Sequence, residues 1–323
     1  LKNIGLQPDY KRLFHHPALR REFFISLRNL LYRRSRMSKR IILDTDIGDD
    51  IDDAFALLFA LKCSELELEA VTVVWGDVET RAKLASKLIS TLGLKTPVAK
   101  GSPQSLLGFK PGWKPCQAEV LKQDEAFPNI LETPAWNIVS EKACEIDGLH
   151  LVSIGPMTNV ALTLFFKHGF EKRVSLTSMA GVFKSSGAEY NVKCDPEALS
   201  IVLKSGLNPL LVGLDVTMKC VMPVNMVEKL KASGKPEHRL VSAMLDAWTG
   251  STGFRQPVLH DPLALATLVD DKIVKVEKTR VEVELKGEYT RGFTVLTNGS
   301  PNASVCLSVD VDRFLKLFEE VIF

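Results

Sequence analysis

From Lys39 onward, short apolar runs rich in β-branched residues alternate with stretches of helical period. Ile41–Leu43, Val71–Trp75, Leu149–Ile154, Val174–Met179 and Leu210–Leu214 are the clearest runs. Near-continuous apolar runs suit strands covered on both faces, and the helical stretches between them supply the cover. The pattern predicts an α/β fold with an open, mostly parallel, Rossmann-like sheet and helices on both faces. Each run stops at a polar, small or glycine residue: Asp44, then Gly76 and Asp77, then Gly155, then Ala180 and Gly181, then Asp215. Ligands of open α/β sheets bind beyond the carboxyl ends of the strands, so these residues are expected on one rim. Two later stretches, Val276–Leu285 and Thr294–Val309, alternate apolar and polar residues and predict a half-exposed antiparallel pair. Val311–Ile322 has helical period and predicts a closing helix. Neither linker nor repeat interrupts residues 39–323, which are expected to form one catalytic domain.

Residues 1–38 differ and are expected to form a basic N-terminal extension. They carry Lys11, Arg12, Arg20, Arg21, Arg28, Arg33, Arg34 and Arg36 against Asp9 and Glu22, with Phe23, Phe24, Leu27, Leu30 and Leu31 at helical spacing. Arg-rich, acid-poor segments of this kind serve as organelle-targeting presequences or as basic helices on a membrane surface. The alternative is an extension outside the catalytic fold, with Met37 as the functional start.

Over all 323 residues the net charge is +2, which gives no electrostatic case for nucleic acid as partner. No apolar run reaches the roughly 18–20 residues that cross a bilayer, so no membrane partner is expected for the catalytic domain. The six cysteines are scattered, without a CxxC pair, and fit reduced thiols in a cytoplasmic protein.

The strongest local signal is Asp44-Thr45-Asp46-Ile47-Gly48-Asp49-Asp50-Ile51-Asp52-Asp53, with six carboxylates in ten residues. Two unit charges about 4 Å apart repel by about 4 kcal/mol at an effective dielectric near 20. The buried strand before this loop and the apolar helix Ala54–Leu61 after it press the carboxylates against the sheet rim, which favours a bound cation. Oxygen ligands alone select a hard ion, Ca²⁺ or Mg²⁺. The spacing does not fit an EF-hand loop.

These residues resemble the N-terminal signature of the inosine–uridine preferring nucleoside hydrolases. Further resemblances follow in order: Val73-Val74-Trp75-Gly76-Asp77, Ser153-Ile154-Gly155-Pro156-Met157-Thr158-Asn159, Ala188-Glu189-Tyr190-Asn191 with Asp195-Pro196-Glu197-Ala198, Val212–Thr217, His260-Asp261-Pro262, and Thr290-Arg291-Gly292. The resemblance implies the nucleoside hydrolase fold and calcium-dependent hydrolysis of a ribonucleoside to free base and ribose. It places Asp46, Asp53, Asp261 and the Ile154 carbonyl on a Ca²⁺ that also holds the ribose 2′- and 3′-hydroxyls and a water. Asp46 is then the general base, and His260 the general acid for the departing base, carrying a proton near neutral pH. Asp52, Asp77, Glu189 and Asn191 bind the sugar. The partner is a small ribonucleoside, and a homo-oligomer is expected.

The chain departs from the family pattern in several places. Asp49 and Asp50 precede Asp52-Asp53 as two additional residues, leaving Asp50 a rival ligand. Asp77 stands where Asn is usual, and Met218 where His is common. Gly101–Asn129 has no histidine, and Phe109 and Trp113 stand there instead. Tyr190, Phe183 and Phe254 are candidates to line the base pocket. Two rivals follow. A haloacid-dehalogenase-type phosphatase also opens with Asp-x-Asp, but it leaves His260-Asp261 and Glu189-Tyr190-Asn191 unexplained. A calcium- and ribose-binding member with little activity, or one acting on another ribosylated substrate, is the alternative function.

Overall fold

The computed structural model describes residues 38–323. The expectations attached to residues 1–37 lie outside the described residues. The chain runs β1 (Lys39–Thr45), α1 (Asp52–Lys62), β2 (Leu66–Val73), α2 (Val78–Thr91), β3 (Val98–Lys100), β4 (Ile130–Leu131), α3 (Ala135–Glu145), β5 (Leu149–Ser153), α4 (Thr158–Phe166) and β6 (Val174–Met179). It continues through α5 (Tyr190–Cys194), α6 (Pro196–Lys204), β7 (Leu210–Val212), α7 (Leu214–Thr217), α8 (Val224–Ala232), α9 (Pro236–Thr252) and α10 (His260–Val269). It closes with β8 (Val274–Val283), β9 (Thr294–Thr297), β10 (Ala303–Val309) and α11 (Val311–Ile322).

The ten strands form one sheet in the order β4-β3-β2-β1-β5-β6-β7-β10-β8-β9. Pairing is parallel from β4 to β10; β8 is antiparallel to both its neighbours. The expected late pair is therefore three strands. Thr294–Val309 breaks at Asn298-Gly299-Ser300-Pro301, a turn-forming sequence, and its second half inserts beside β7. The nucleoside hydrolase expectation for the fold, an open and mostly parallel sheet with helices on both faces, holds.

Strand β1 shows why the apolar runs were continuous. Ile41 and Leu43 face one core with α1, α2, α9, α10 and α11, while Ile42 faces the other with α3, α4 and α6. On the first face Phe314, Phe318 and Ile322 recur four residues apart on α11 and are fully buried. Phe318 meets Phe55 edge-on at 5.9 Å and lies parallel to Phe59 at 6.3 Å. Each such aromatic contributes about 1.5–3 kcal/mol by burial.

The chain leaves β1 toward β2, β3 and β4, then returns to β5 on the other side of β1. That reversal opens a crevice at the carboxyl ends of β1 and β5.

Candidate active site

Asp44 lies inside β1 rather than in the loop, and anchors the site from below. Its Oδ1 accepts from Thr72 Oγ1 at 2.6 Å and from Asn159 Nδ2 at 2.7 Å. Burial raises its carboxyl to about 6 against those hydrogen bonds. The chain then turns through Asp46 to Ile51. Gly48 has φ +130°, and a side chain there would strike Pro115 and Leu84, so the turn requires glycine. Gly155, at the exit of β5, approaches Asp46 so closely that a Cβ would sit 2.9 Å from Asp46 Oδ1. Asp52 and Asp53 open α1, where the helix N-terminus favours negative charge.

Asp46, Asp52, Asp53, Glu189, Asn191, His260 and Asp261 line one cavity of about 550 Å³, together with Asp49, Asp50, Trp113, Lys114, Cys116, Tyr190, Ser251 and Thr252. Asp52, Asp53 and Asp261 each turn one carboxylate oxygen toward a common point, and the three oxygens lie within 4.8 Å of one another. All three are buried. Burial first, and then repulsion from neighbouring carboxylates (Asp50 on Asp52, Asp46 on Asp53, Asp52 on Asp261), hold all three carboxyls well above the usual range. Asp46 rises to about 7 by burial, opposed by the Arg81 guanidinium. A buried, oxygen-only donor set of this kind fits a hard divalent cation, which would relieve the repulsion. Asp52 stands within the converging set, whereas the sequence reading put Asp52 on the sugar and Asp46 on the cation. Asp50 lies on the lining outside that set, and its Oδ1 accepts from the Ile51 amide at 2.7 Å.

His260 and Asp261 form the first turn of α10, and the Asp261 amide donates to Asp52 Oδ2 at 3.2 Å. His260 Nδ1 lies 2.7 Å from Thr217 Oγ1. Burial pushes the imidazole down to about 4, so the neutral ring is its resting form, in contrast to the expectation of a ring protonated near neutrality.

Glu189 caps α5. Its carboxylate accepts from the amides of Asn191 (2.7 Å), Val192 (3.1 Å) and Gly181 (3.3 Å), and burial raises it to about 7. Asn191 Nδ2 donates to the Ile154 carbonyl at 2.8 Å and to Met179 O at 3.1 Å, tying the ends of β5 and β6. Asp77 lies off this lining. It caps α2, accepting from the Thr80 amide at 3.1 Å and Thr80 Oγ1 at 2.8 Å, and faces a neighbouring cleft with Lys110 and Trp113. Of the aromatic candidates, Tyr190 lines the cavity, Phe183 packs on Gly181 and Gly213, and Phe254 lies against Trp248. Sequence reasoning missed Arg81, Gln117, Ser251 and Thr252. Gln117 Nε2 donates to Asp50 O at 2.6 Å and supports the acidic turn from outside.

The acidic cavity lies at the carboxyl ends of the strands, at the switch point of an open, mostly parallel α/β sheet, where enzymes of this fold class bind their ligands. Residues 41–316 match the family described as inosine-uridine preferring nucleoside hydrolase, and the chain belongs to that family, whose members act on N-glycosyl bonds. It is 32% identical over 308 residues to the pyrimidine-specific ribonucleoside hydrolase RihA of Escherichia coli strain SMS-3-5, covering 88% of this chain and 98% of the relative. Among solved structures it resembles a plant nucleoside hydrolase, PpNRh1 (TM-score 0.79, 26% identity), and the purine-preferring ribonucleoside hydrolase from Gardnerella vaginalis (TM-score 0.78, 25% identity). Each of those two alignments covers 88% of this chain and 98% of the other.

Proposed function

We propose that this protein hydrolyses the N-glycosidic bond of a ribonucleoside, giving free base and ribose, with a calcium ion in the acidic cavity. The observation that carries this is the convergence of Asp52, Asp53 and Asp261 in the cavity that also receives Asp46 and His260. When bound, the cation lowers the pKa of a water and anchors vicinal hydroxyls. Asp52, Asp53 and Asp261 would hold it, with Asp46 and the Ile154 carbonyl completing the set. Asp46 takes the proton of the attacking water at its carboxylate. Asp52 orients the ribose hydroxyls, and Glu189 and Asn191 wall the far side of the sugar. Positive charge that develops on the ring faces carboxylates. His260, held through Thr217 and neutral at rest, must gain a proton in the bound complex before it passes one to the leaving base as general acid. Asp77 reaches the sugar only if the α2 cap opens.

In this proposal residues 39–323 form the catalytic domain and residues 1–38 an extension. The six cysteines are scattered without a CxxC pair, in keeping with the proposed reducing, cytoplasmic setting. No helix among the described residues is long and apolar enough to cross a membrane. A homo-oligomer is the proposed working form, to be read by light scattering.

The test is release of ribose from purine and pyrimidine ribonucleosides and an aryl riboside, with and without a calcium chelator. Chelator-sensitive release supports the proposal, and the best substrate identifies the base. One observation favours the alternative of a calcium- and ribose-binding protein with little activity: Glu189 and Asp77 already spend their carboxylates on backbone and hydroxyl donors. Calcium-dependent ribose binding without turnover of any substrate would establish that alternative.

A further inference from the structure

Arg81, in the first turn of α2, is 1% exposed and is the largest fully buried side chain among the described residues. A buried guanidinium requires acceptors for its N–H groups, and Arg81 finds them at the exits of two strands. Its Nε donates to the Trp75 carbonyl, after β2, at 2.6 Å. Its Nη1 donates to the carbonyls of Asp46 and of Ile47 (3.0 Å for Ile47), after β1. Its Nη2 donates to Asp49 Oδ2 at 2.7 Å. Trp75 itself has φ +71°, a left-handed conformation that a bulky residue keeps only where its surroundings hold it. The same Asp49 oxygen accepts from Trp113 Nε1 at 3.3 Å. Asp49 is thus committed on its Oδ2 and stands outside the converging carboxylates.

We infer that Arg81 is a positioning residue: it presets the Asp46–Asp53 turn before a cation arrives, with Asp49 as its counter-ion. This rests on the proposal that the carboxylate cluster holds a divalent cation. Five carboxylates, Asp46, Asp49, Asp50, Asp52 and Asp53, oppose the turn. The guanidinium neutralises one of them and pins the backbone on either side of the Asp46–Ile47 peptide. The remaining carboxylates are then aimed without help from the ion. Lysine supplies the charge but lacks the planar fork that reaches four acceptors. A turn that is competent one-tenth of the time weakens apparent affinity about tenfold.

The test is calcium titration by calorimetry on the full chain, comparing wild type, Arg81→Lys, Asp49→Asn and Asp53→Asn. Arg81→Lys is expected to bind Ca²⁺ about tenfold or more weakly. Saturating Ca²⁺ should then restore kcat for ribose release with an unchanged nucleoside KM, a split that general destabilisation does not produce. Asp49→Asn should lose far less affinity than Asp53→Asn. Wild-type affinity in Arg81→Lys overturns the inference, as does an Asp49→Asn loss equal to that of Asp53→Asn. Should Arg81→Lys not fold, hydrogen exchange on the wild type in chelator decides. Protection of residues 46–51 without cation is expected, and protection that appears only on adding Ca²⁺ overturns the inference. A wild type that binds no divalent cation overturns the cation proposal itself, a result distinct from the others.

Discussion

Asn159 Nδ2 donates to Asp44 Oδ1 at 2.7 Å, so the helix after β5 grips the strand that carries the acidic turn. The same side chain accepts from the Ser102 amide at 2.9 Å and donates to Val73 O at 3.2 Å, joining the ends of three strands at one amide. Both residues are buried. Asn159→Ala strips a buried carboxylate and two backbone groups of partners. The expected loss is about 2–4 kcal/mol of unfolding free energy, read by urea denaturation. A loss under about 0.5 kcal/mol would remove this amide from the framework of the site.

Asp46→Ala should lower kcat by about 10²–10⁴-fold if Asp46 is the base. Its circular dichroism melt should stay within a few degrees of wild type, because Asp46 contributes no core packing. Turnover at the wild-type rate would refute the assignment.

His260→Ala separates leaving-group chemistry from sugar binding. Release of uracil or hypoxanthine should fall by about 10²-fold or more, while an activated aryl riboside should lose much less. Equal losses on both substrates would show that the ring does not act on the leaving group. Thr217→Val should give a weaker form of the same pattern, since Thr217 holds Nδ1.

His150 supplies a pH dependence remote from the cavity. It sits on β5 with Nε2 2.9 Å from Thr177 Oγ1, and burial lowers its pKa from 6.5 to about 4, with Lys39 adding to the effect. The folded state therefore binds this proton less readily than the unfolded state. The associated stability is present above pH about 6.5 and is lost as pH falls toward 4, up to about 3 kcal/mol. His150→Gln should flatten that limb in denaturation measured between pH 4 and 7. An unchanged slope would assign the acid lability to other groups.

Much of the site was legible because its signals are local. The run of carboxylates between an apolar strand and Ala54-Phe55-Ala56-Leu57-Leu58 can fold in few ways, and Asp52 and Asp53 duly open α1. Asp77 plays a local role: an Asp three residues before Thr80 at the start of a helix is an N-cap pattern, and the structure uses it so. Arg81 was not legible. In a helix with Glu79, Lys83 and Lys87, one more charge reads as a solvated face, and only packing of α2 beneath the acidic turn buries it.

By itself the sequence determined the class of fold and the type of chemistry. A strand covered on both faces must be apolar along its length whatever its neighbours are, and clustered oxygen ligands favour a hard cation wherever they lie. Tertiary structure alone decided which carboxylates converge. Asp261 meets Asp52 across 209 positions because α10 packs against α1, and the strand order then opens the crevice between β1 and β5. Such meetings depend on how elements stack, which local spacing along the chain does not encode.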